Sequence, residues 1–537
     1  MSESFNTKSS LLLLYICPIM RQRITYLQDP QDAVDPKDLQ ITKDSISTKH
    51  LKGAREERIT FGFEELPQEL YRVLKASHEL HIRWVSEKPY ESIAPLVSRL
   101  SPGLHVFYTP QRGSYSSSLL CPLLQKAFGE IACVSPEESF TTLPTERFSH
   151  SAATQYYSPL PSLADFQNYL FHKLCPKPDL SCEARVSALS TASTLDISFD
   201  TISHALALSA FFPSTTQDLF ISKPSTSSPS RLEVGILSQE KALETEELSL
   251  SGFLTVVGED TKASPTLFSF PSRHHPSSEF FTSTFILPTG LHPTLELNIS
   301  SPTPPLEDRS CALHAHLTLP RQLFADKYQL SDPLFLASKN LTAVRYITSP
   351  VDLEAPAYTM NIWGSSVLLE LAPPSKSSSS NKPGNQAFTV QVPLHLRYLP
   401  PNHAKSGLEE TQVPYPVLFW ACTADEGSKF PINPFDRVNL GWDGLFGPRT
   451  LFYHLSPKPA TVGVNGLLEE EARLVNKIEV PVLDLDKSVW VEAGTAAVVL
   501  LGFLWVLWCL VGVWRRKGYG SGSGSGSEKV EKEKKTK

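Results

Sequence analysis

Apolar and polar residues alternate along most of this chain with a period of two, as in strands that bury one face. Residues 59–63, 80–84, 104–108 and 195–199 read this way. The alternation is cleaner at 248–257, 295–299 and 313–319. The clearest strand is 388–398, FTVQVPLHLRY. It sets Phe388, Val390, Val392, Leu394, Leu396 and Tyr398 on one face, and Thr389, Gln391, Pro393, His395 and Arg397 on the other. Pro393 has no N–H to give a ladder, so this strand is expected at a sheet edge or at a bulge. One helix is expected at 68–77, opened by Pro67. Residues 113–162 show few clear periods and read as loop-rich. The expected class is mainly β, with β-sandwich-like domains.

Near the C-terminus the pattern changes. Residues 493–514 run for 22 positions without a charge. As a helix this run would be about 33 Å long at about 1.5 Å per residue. That is enough to cross a hydrocarbon core of about 30 Å. Glu492 closes one end and Arg515-Arg516-Lys517 the other, with Trp490 and Trp514 at the edges, where indoles favour the headgroup layer. One transmembrane helix is therefore expected. The basic cluster behind it puts the C-terminus in the cytoplasm and the body on the far, lumenal side. Leu501, Trp505, Trp508 and Gly512 fall near one face of the helix, facing either a partner helix or lipid.

The run PSTSSPS at 224–230 is the expected domain boundary. It separates an N-terminal β-rich region, 20–223, from a second β domain, 231–490, followed by the helix at 493–514 and a tail at 515–537. Residues 1–19 stand apart. Their apolar run at 11–16 is either a weak signal or anchor, or part of an extension upstream of a second methionine, Met20. PPSKSSSSNKPG at 373–384 reads as a loop inserted between strands. The tail carries a flexible YGSGSGSGS stretch and ends in Lys534-Lys535-Thr536-Lys537. Lys534 and Lys535 match the K-K-x-x pattern that retrieves type I membrane proteins to the endoplasmic reticulum. The plainer reading is a solubilising charge run.

Composition adds little until it is set against that topology. The net charge of −7 over 537 residues speaks against a nucleic-acid partner. Cys17 and Cys509 lie in apolar runs, which leaves Cys121, Cys133, Cys175, Cys182, Cys311 and Cys422. An even number in an oxidising compartment permits three disulfides, and Cys121/Cys133 and Cys175/Cys182 are close enough for local bridges. Asn298 and Asn340 head sequons and can accept N-glycans if exposed. Asp484-Leu485-Asp486 is a D-x-D pair, which glycosyltransferases use to hold a divalent metal or sugar donor. The alternative is an acidic linker before the apolar run. His314-Ala315-His316 puts two imidazoles on one side of a strand, as metal ligands or as a polar strand face. There is no G-x-S-x-G, H-E-x-x-H or Gly-rich phosphate loop. No catalytic, metal or cofactor site is expected.

The stretch from about Cys311 to the apolar run resembles the PIG-X family. Val392-Pro393-Leu394-His395-Leu396-Arg397-Tyr398, followed by Pro400-Pro401, is similar to that family's P-x-H-x-R-Y-x-x-P signature. Val413-Pro414-Tyr415-Pro416-Val417-Leu418-Phe419-Trp420 resembles the strand that follows it. Asn433-Pro434-Phe435-Asp436-Arg437 and Gly444-Leu445-Phe446-Gly447-Pro448 resemble the fungal branch, the protease B non-derepressible proteins. Arg55-Glu56-Glu57-Arg58 and Met20-Arg21-Gln22-Arg23 extend the likeness towards the N-terminus. The resemblance implies a single-span glycoprotein of the endoplasmic reticulum, without activity or cofactor of its own. It would stabilise the multi-span catalytic subunit of glycosylphosphatidylinositol mannosyltransferase I, which adds the first mannose to the anchor precursor. Fungal members are also linked to the folding of other lumenal proteins. Candidate partner contacts are His395 and Arg397, which could instead form a structural pair, and Trp505 and Trp508 in the span. The rival expectations are a general lumenal chaperone or cargo adaptor, and a glycosyltransferase working through Asp484 and Asp486. The single span counts against the second.

Overall fold

The computed structural model describes residues 21–111, 119–143, 154–175, 180–223, 231–349, 351–374, 387–403, 407–431, 433, 435, 441–460 and 472–517. The 1–19 segment, Met20, the 224–230 break, most of the 373–384 insertion and the tail with Lys534 and Lys535 lie outside them. The chain forms two units: 1–399 with 409–481, and 400–408 with 482–537.

The first unit holds two large sheets. In the first, of twelve strands, Arg21–Gln28 pairs antiparallel with Ser45–Gly62 and parallel with Arg231–Glu240. Glu247–Val256 and Ser264–Pro271 continue to one edge. Ala205–Ser222, Thr194–Asp200, Ser77–Val85, Gly103–Pro110, Thr154–Ser158 and Thr141–Thr142 continue to the other, and Gln40–Ile41 adds to Ser45–Gly62. The expected division at 224–230 therefore does not separate sheets. The strand after it returns to pair with the first strand of the fold, so the Pro/Ser run joins two strands of one sheet. The change of sheet falls later, at Ser272 and Arg273, between Ser264–Pro271 and His274–Phe285.

The second sheet has eight strands in the order Leu341–Ile347, Gly364–Leu371, Cys311–Pro320, Val417–Thr423, Thr450–Pro457, His274–Phe285, Thr294–Ile299 and Phe388–Pro393. One layer of side chains ties the two sheets together. Val85, Leu100 and Phe107 come from the first part of the chain, and Leu368, Val417, Phe419, Trp442 and Phe452 from the second. Trp442 stacks on Phe419 with ring centroids 3.9 Å apart. Such a pair adds about 0.5–1.5 kcal/mol beyond its buried area.

Helices cover the first sheet, one of them within the loop-rich 113–162 stretch. Leu120–Phe128 buries Leu120, Cys121, Leu123, Leu124, Ala127 and Phe128. Its buried positions 120, 123, 124, 127 and 128 keep helical spacing with Gln125 and Lys126 exposed, but the period lasts only nine residues inside a stretch that otherwise shows few. Ala164–Lys173 packs beside it through Phe128 and Phe166, stacked at 4.9 Å. The expected helix at 68–77 is present as Gln68–Lys75.

Three disulfides join Cys121 to Cys133, Cys175 to Cys182 and Cys311 to Cys422. Cys311 and Cys422 face each other in register on adjacent antiparallel strands.

The strand expected over 388–398 divides. Phe388–Pro393 is the edge strand of the second sheet, as Pro393 required, and His395–Leu396 pairs instead with Leu323–Phe324. Val390, Val392 and Leu394 are buried, but Leu396 is half-buried and Tyr398 is exposed. The apolar face thus ends at the break, because the chain leaves the sheet there and alternation no longer refers to one core.

In the second unit, Asn402 bridges Asp484, and Ser488–Lys517 forms one helix. This is the helix expected at 493–514, longer at both ends, and it is long and apolar enough to cross a membrane.

Candidate functional site

The short ladder of Leu323–Phe324 with His395–Leu396 gathers the two candidate contact residues around one ring. Phe324 stacks with His395 at 5.2 Å, and the Arg397 guanidinium lies 4.4 Å from the Phe324 centroid. His395 Nδ1 is 3.0 Å from His292 Nδ1, and its Nε2 is 3.1 Å from Gln329 Oε1. Burial, with the neighbouring His292, holds the His395 pKa below its ordinary value.

Arg397 turns inward. It is buried, donates from Nη1 to the Ala355 carbonyl at 2.7 Å and from Nη2 to the Asp352 carbonyl. Desolvation lowers its pKa, and the Asp352 carboxylate opposes that shift. A buried arginine bonded to backbone carbonyls fixes the loop that supplies them. His395 and Arg397 therefore do not pair with each other; each is tied to a different segment, with Phe324 in common. Phe324, His292 and Gln329 were not singled out in the sequence, because no local spacing connects them to 395–397.

The D-x-D pair lies in the second unit. Asp484 Oδ1 accepts from the Asp486 N–H at 3.0 Å and caps the turn Leu485–Lys487, while Oδ2 is 3.2 Å from Lys487 Nζ. These contacts, the backbone N–H first, hold the Asp484 carboxyl below its ordinary pKa. Asp486 Oδ1 is 2.8 Å from His403 Nδ1. Among the described residues, no group of three or more His, Cys, Asp or Glu side chains is placed to hold a metal ion.

His314 and His316 share a strand face, but that face is buried. His314 Nδ1 lies 3.0 Å from the Ala312 carbonyl oxygen and its ring stacks with Phe419. Burial pushes the His314 pKa down to about 4 and that of His316 to about 3. In the second unit, Trp505 and Trp508 lie side by side on the helix, 5.4 Å between centroids. Asn340 is exposed and Asn298 half-buried.

The PIG-X / PBN1 family profile matches residues 288–511, which include the second sheet beyond its first strand, the ladder with His395 and Arg397, and most of the apolar helix. Protein pbn1 of Neurospora crassa is 51% identical over 505 residues, covering 93% of this chain and 97% of its own. Protein pbn1 of Emericella nidulans is 47% identical, with the same two coverages, and that of Aspergillus oryzae 43% identical, covering 91% and 96%. The chain belongs to the PIG-X / PBN1 family. Membership supports a role in glycosylphosphatidylinositol-anchor biosynthesis and fits an accessory rather than a catalytic part in it. The apolar helix and the three disulfides fit a single-pass member of the family with its body in an oxidising compartment. Among solved structures, the Fcho1 Mu homology domain of Danio rerio aligns over 86% of this chain and 93% of its own at 8% identity, with a TM-score of only 0.13.

Proposed function

We propose that this protein is the non-catalytic subunit of glycosylphosphatidylinositol mannosyltransferase I. It crosses the endoplasmic reticulum membrane once, with its β-rich body in the lumen, and stabilises the catalytic subunit that adds the first mannose. The observation that carries this reading is family membership over nearly the whole chain, including the helix that would lie beside a membrane-embedded partner. The contacts of Asp484 and Asp486 support it, since a cap, a lysine and a histidine already use these carboxylates.

A subunit of this kind acts by mass action: it binds the folded partner and withdraws it from unfolding and degradation. His395, Trp505 and Trp508 are the proposed contacts, with Arg397 holding the ladder that presents His395. The basic residues after the helix support a cytosolic C-terminus, and Lys534 and Lys535 are proposed as the retrieval signal.

The test is affinity purification from microsomes in mild detergent. The expected result is recovery of one multi-span protein in near-equal amount, with first-mannose transfer falling in step with that protein when the subunit is depleted. Recovery of many unrelated lumenal proteins, with transfer unchanged on depletion, would favour the general chaperone instead. Lys534→Ser with Lys535→Ser should let the protein pass beyond the endoplasmic reticulum; unchanged residence would assign location to the partner.

A further inference from the structure

We propose that Arg321 and Arg397 hold a phosphate-type oxyanion in a cavity of the first unit. The cavity measures about 160 Å³. A single water needs about 10–15 Å³, so there is room for a tetrahedral anion with water around it. Arg321 lines the cavity half-buried, and no hydrogen bond or ion pair reaches its guanidinium among the described residues. Arg397 lines it too. It is 4% exposed and its Nη atoms donate to the Ala355 and Asp352 carbonyls, so it adds positive charge to the wall rather than a free fork.

A charged donor held half-buried without an acceptor is costly, and an anion in the cavity would give the Arg321 guanidinium the partner it lacks. Thr142, Ser349 and Ser365 also line the cavity, with hydroxyls that make no hydrogen bond elsewhere among the described residues. Against two arginines stands one carboxylate, Glu137, which leaves the lining net positive.

The donor set favours phosphate over carboxylate. Guanidiniums bind both groups through paired N–H bonds. A carboxylate has only two oxygens to offer, whereas the Arg321 fork and three hydroxyls line the space with more donors than two oxygens can use. The phosphate could belong to a lipid headgroup or be free in solution; the lining suits the group common to both. The inference does not depend on the mannosyltransferase reading.

Full-length protein in mild detergent is titrated by equilibrium dialysis with inorganic phosphate and, separately, with short-chain phosphatidylglycerol. Saturable binding is expected. It should weaken by about tenfold to a hundredfold in Arg321→Ala, the worth of one charge-assisted contact. It should be partly kept in Arg321→Lys and unchanged in Arg345→Ala, whose arginine pairs with Glu370. Tighter binding of phosphatidylglycerol assigns the site to a lipid headgroup, and tighter binding of phosphate to the free ion. Either supports the proposal. Absence of saturable binding, equal competition by acetate, or an unaffected Arg321→Ala overturns it. A second readout needs no variant to fold: phosphate should slow phenylglyoxal modification of Arg321 but not of Arg345. Equal rates at Arg321 with and without phosphate would also overturn it.

Discussion

His274 Nδ1 lies 2.9 Å from His454 Nε2, and both rings are buried between aromatic neighbours. At that distance one nitrogen donates and the other accepts, so the contact is lost once both facing nitrogens carry protons. Burial sets both pKa values low: His274 well below its ordinary value, and His454 down to about 3. They are not alone. Burial pushes His105 down to about 4, His314 to about 4 and His316 to about 3. The rings of His105, His314 and His274 stack on Phe107, Phe419 and Phe452 of the layer between the sheets.

These histidines make folding pH-dependent in a definite direction. In the unfolded chain each takes a proton near pH 6.5. In the fold His105 and His314 do so only near 4, His316 and His454 near 3, and His274 well below its ordinary value. Between those values the unfolded chain binds more protons, so stability is full above about pH 6.5 and falls as pH drops towards 4. Each group contributes up to about 1.4 kcal/mol per pH unit in that window. Glu79, raised to about 7 by burial and then Asp200, works the other way, one group against several. The melting temperature of the detergent-solubilised protein should therefore fall steeply from pH 6.5 to pH 4. His316→Leu should make the slope shallower by about one proton. A melting temperature flat across this window would contradict the account.

The sequons converge on one residue. Asn298 Oδ1 accepts from Thr389 Oγ1 at 2.6 Å, and Asn340 Nδ2 donates to the Thr389 carbonyl at 2.8 Å. Their settings differ: Asn298 lies half-buried within a strand, its Nδ2 3.3 Å from Glu296 Oε1. Asn340 is exposed at the end of a helix with φ of 57°, a left-handed conformation that asparagine tolerates. A glycan fits Asn340 without disturbing a strand. Thr342→Ala, which removes this sequon and leaves Asn340 in place, should abolish most of the endoglycosidase-sensitive mobility shift. Ser300→Ala should change it less. The reverse order would mean that modification is complete before Asn298 is folded into its strand.

Much of the strand content was legible because one-sided burial writes a period of two into the sequence. The second sheet follows that reading closely, from Thr294–Ile299 to Cys311–Pro320. What brings distant strands together leaves no such trace. The parallel pairing of Arg21 with Arg231 depends on a return across some two hundred residues. The disulfide between Cys311 and Cys422 was open among six cysteines until the register of their strands placed them opposite each other. Arg397 misled for a different reason. Arginine is ordinarily a surface residue, and the carbonyls that satisfy it lie 42 and 45 positions earlier. Alternation correctly set it opposite Leu396; only the fold shows that this side also faces inward.

The break after Pro393 separates two substitutions that alternation alone would rank equally. Leu394 is 1% exposed and packs with Val390 and Val392, whereas Leu396 is half-buried at the rim of the same cluster. A carboxylate at 394 would have no partner in that core, and such a change costs more than about 4 kcal/mol. Leu394→Asp should remove the folded body and deplete the proposed catalytic partner. Leu396→Asp can turn its charge towards solvent and should cost less, leaving folded protein at reduced level. Protease resistance in microsomes measures both. Equal collapse of the two variants would mean that the Leu323–Leu396 ladder, rather than burial, holds this corner.

The acidic pair before the helix decides between subunit and enzyme. Asp484 spends one oxygen on the Asp486 N–H and the other on Lys487, and Asp486 faces His403. A metal would have to displace all three contacts, and among the described residues no further carboxylate, histidine or cysteine is placed to complete its shell. If the pair nevertheless held a catalytic cation, its loss would remove several kcal/mol of transition-state stabilisation. That is a rate loss of more than about a hundredfold at constant protein level. If it only shapes the turn that leads into the helix, Asp484→Ala with Asp486→Ala should loosen that turn and leave chemistry untouched. We expect first-mannose transfer, expressed per unit of catalytic partner in microsomes, to remain at the wild-type value in the double variant. Transfer lost while the partner stays at its normal level would sink the accessory reading, and would place the donor site at these two carboxylates.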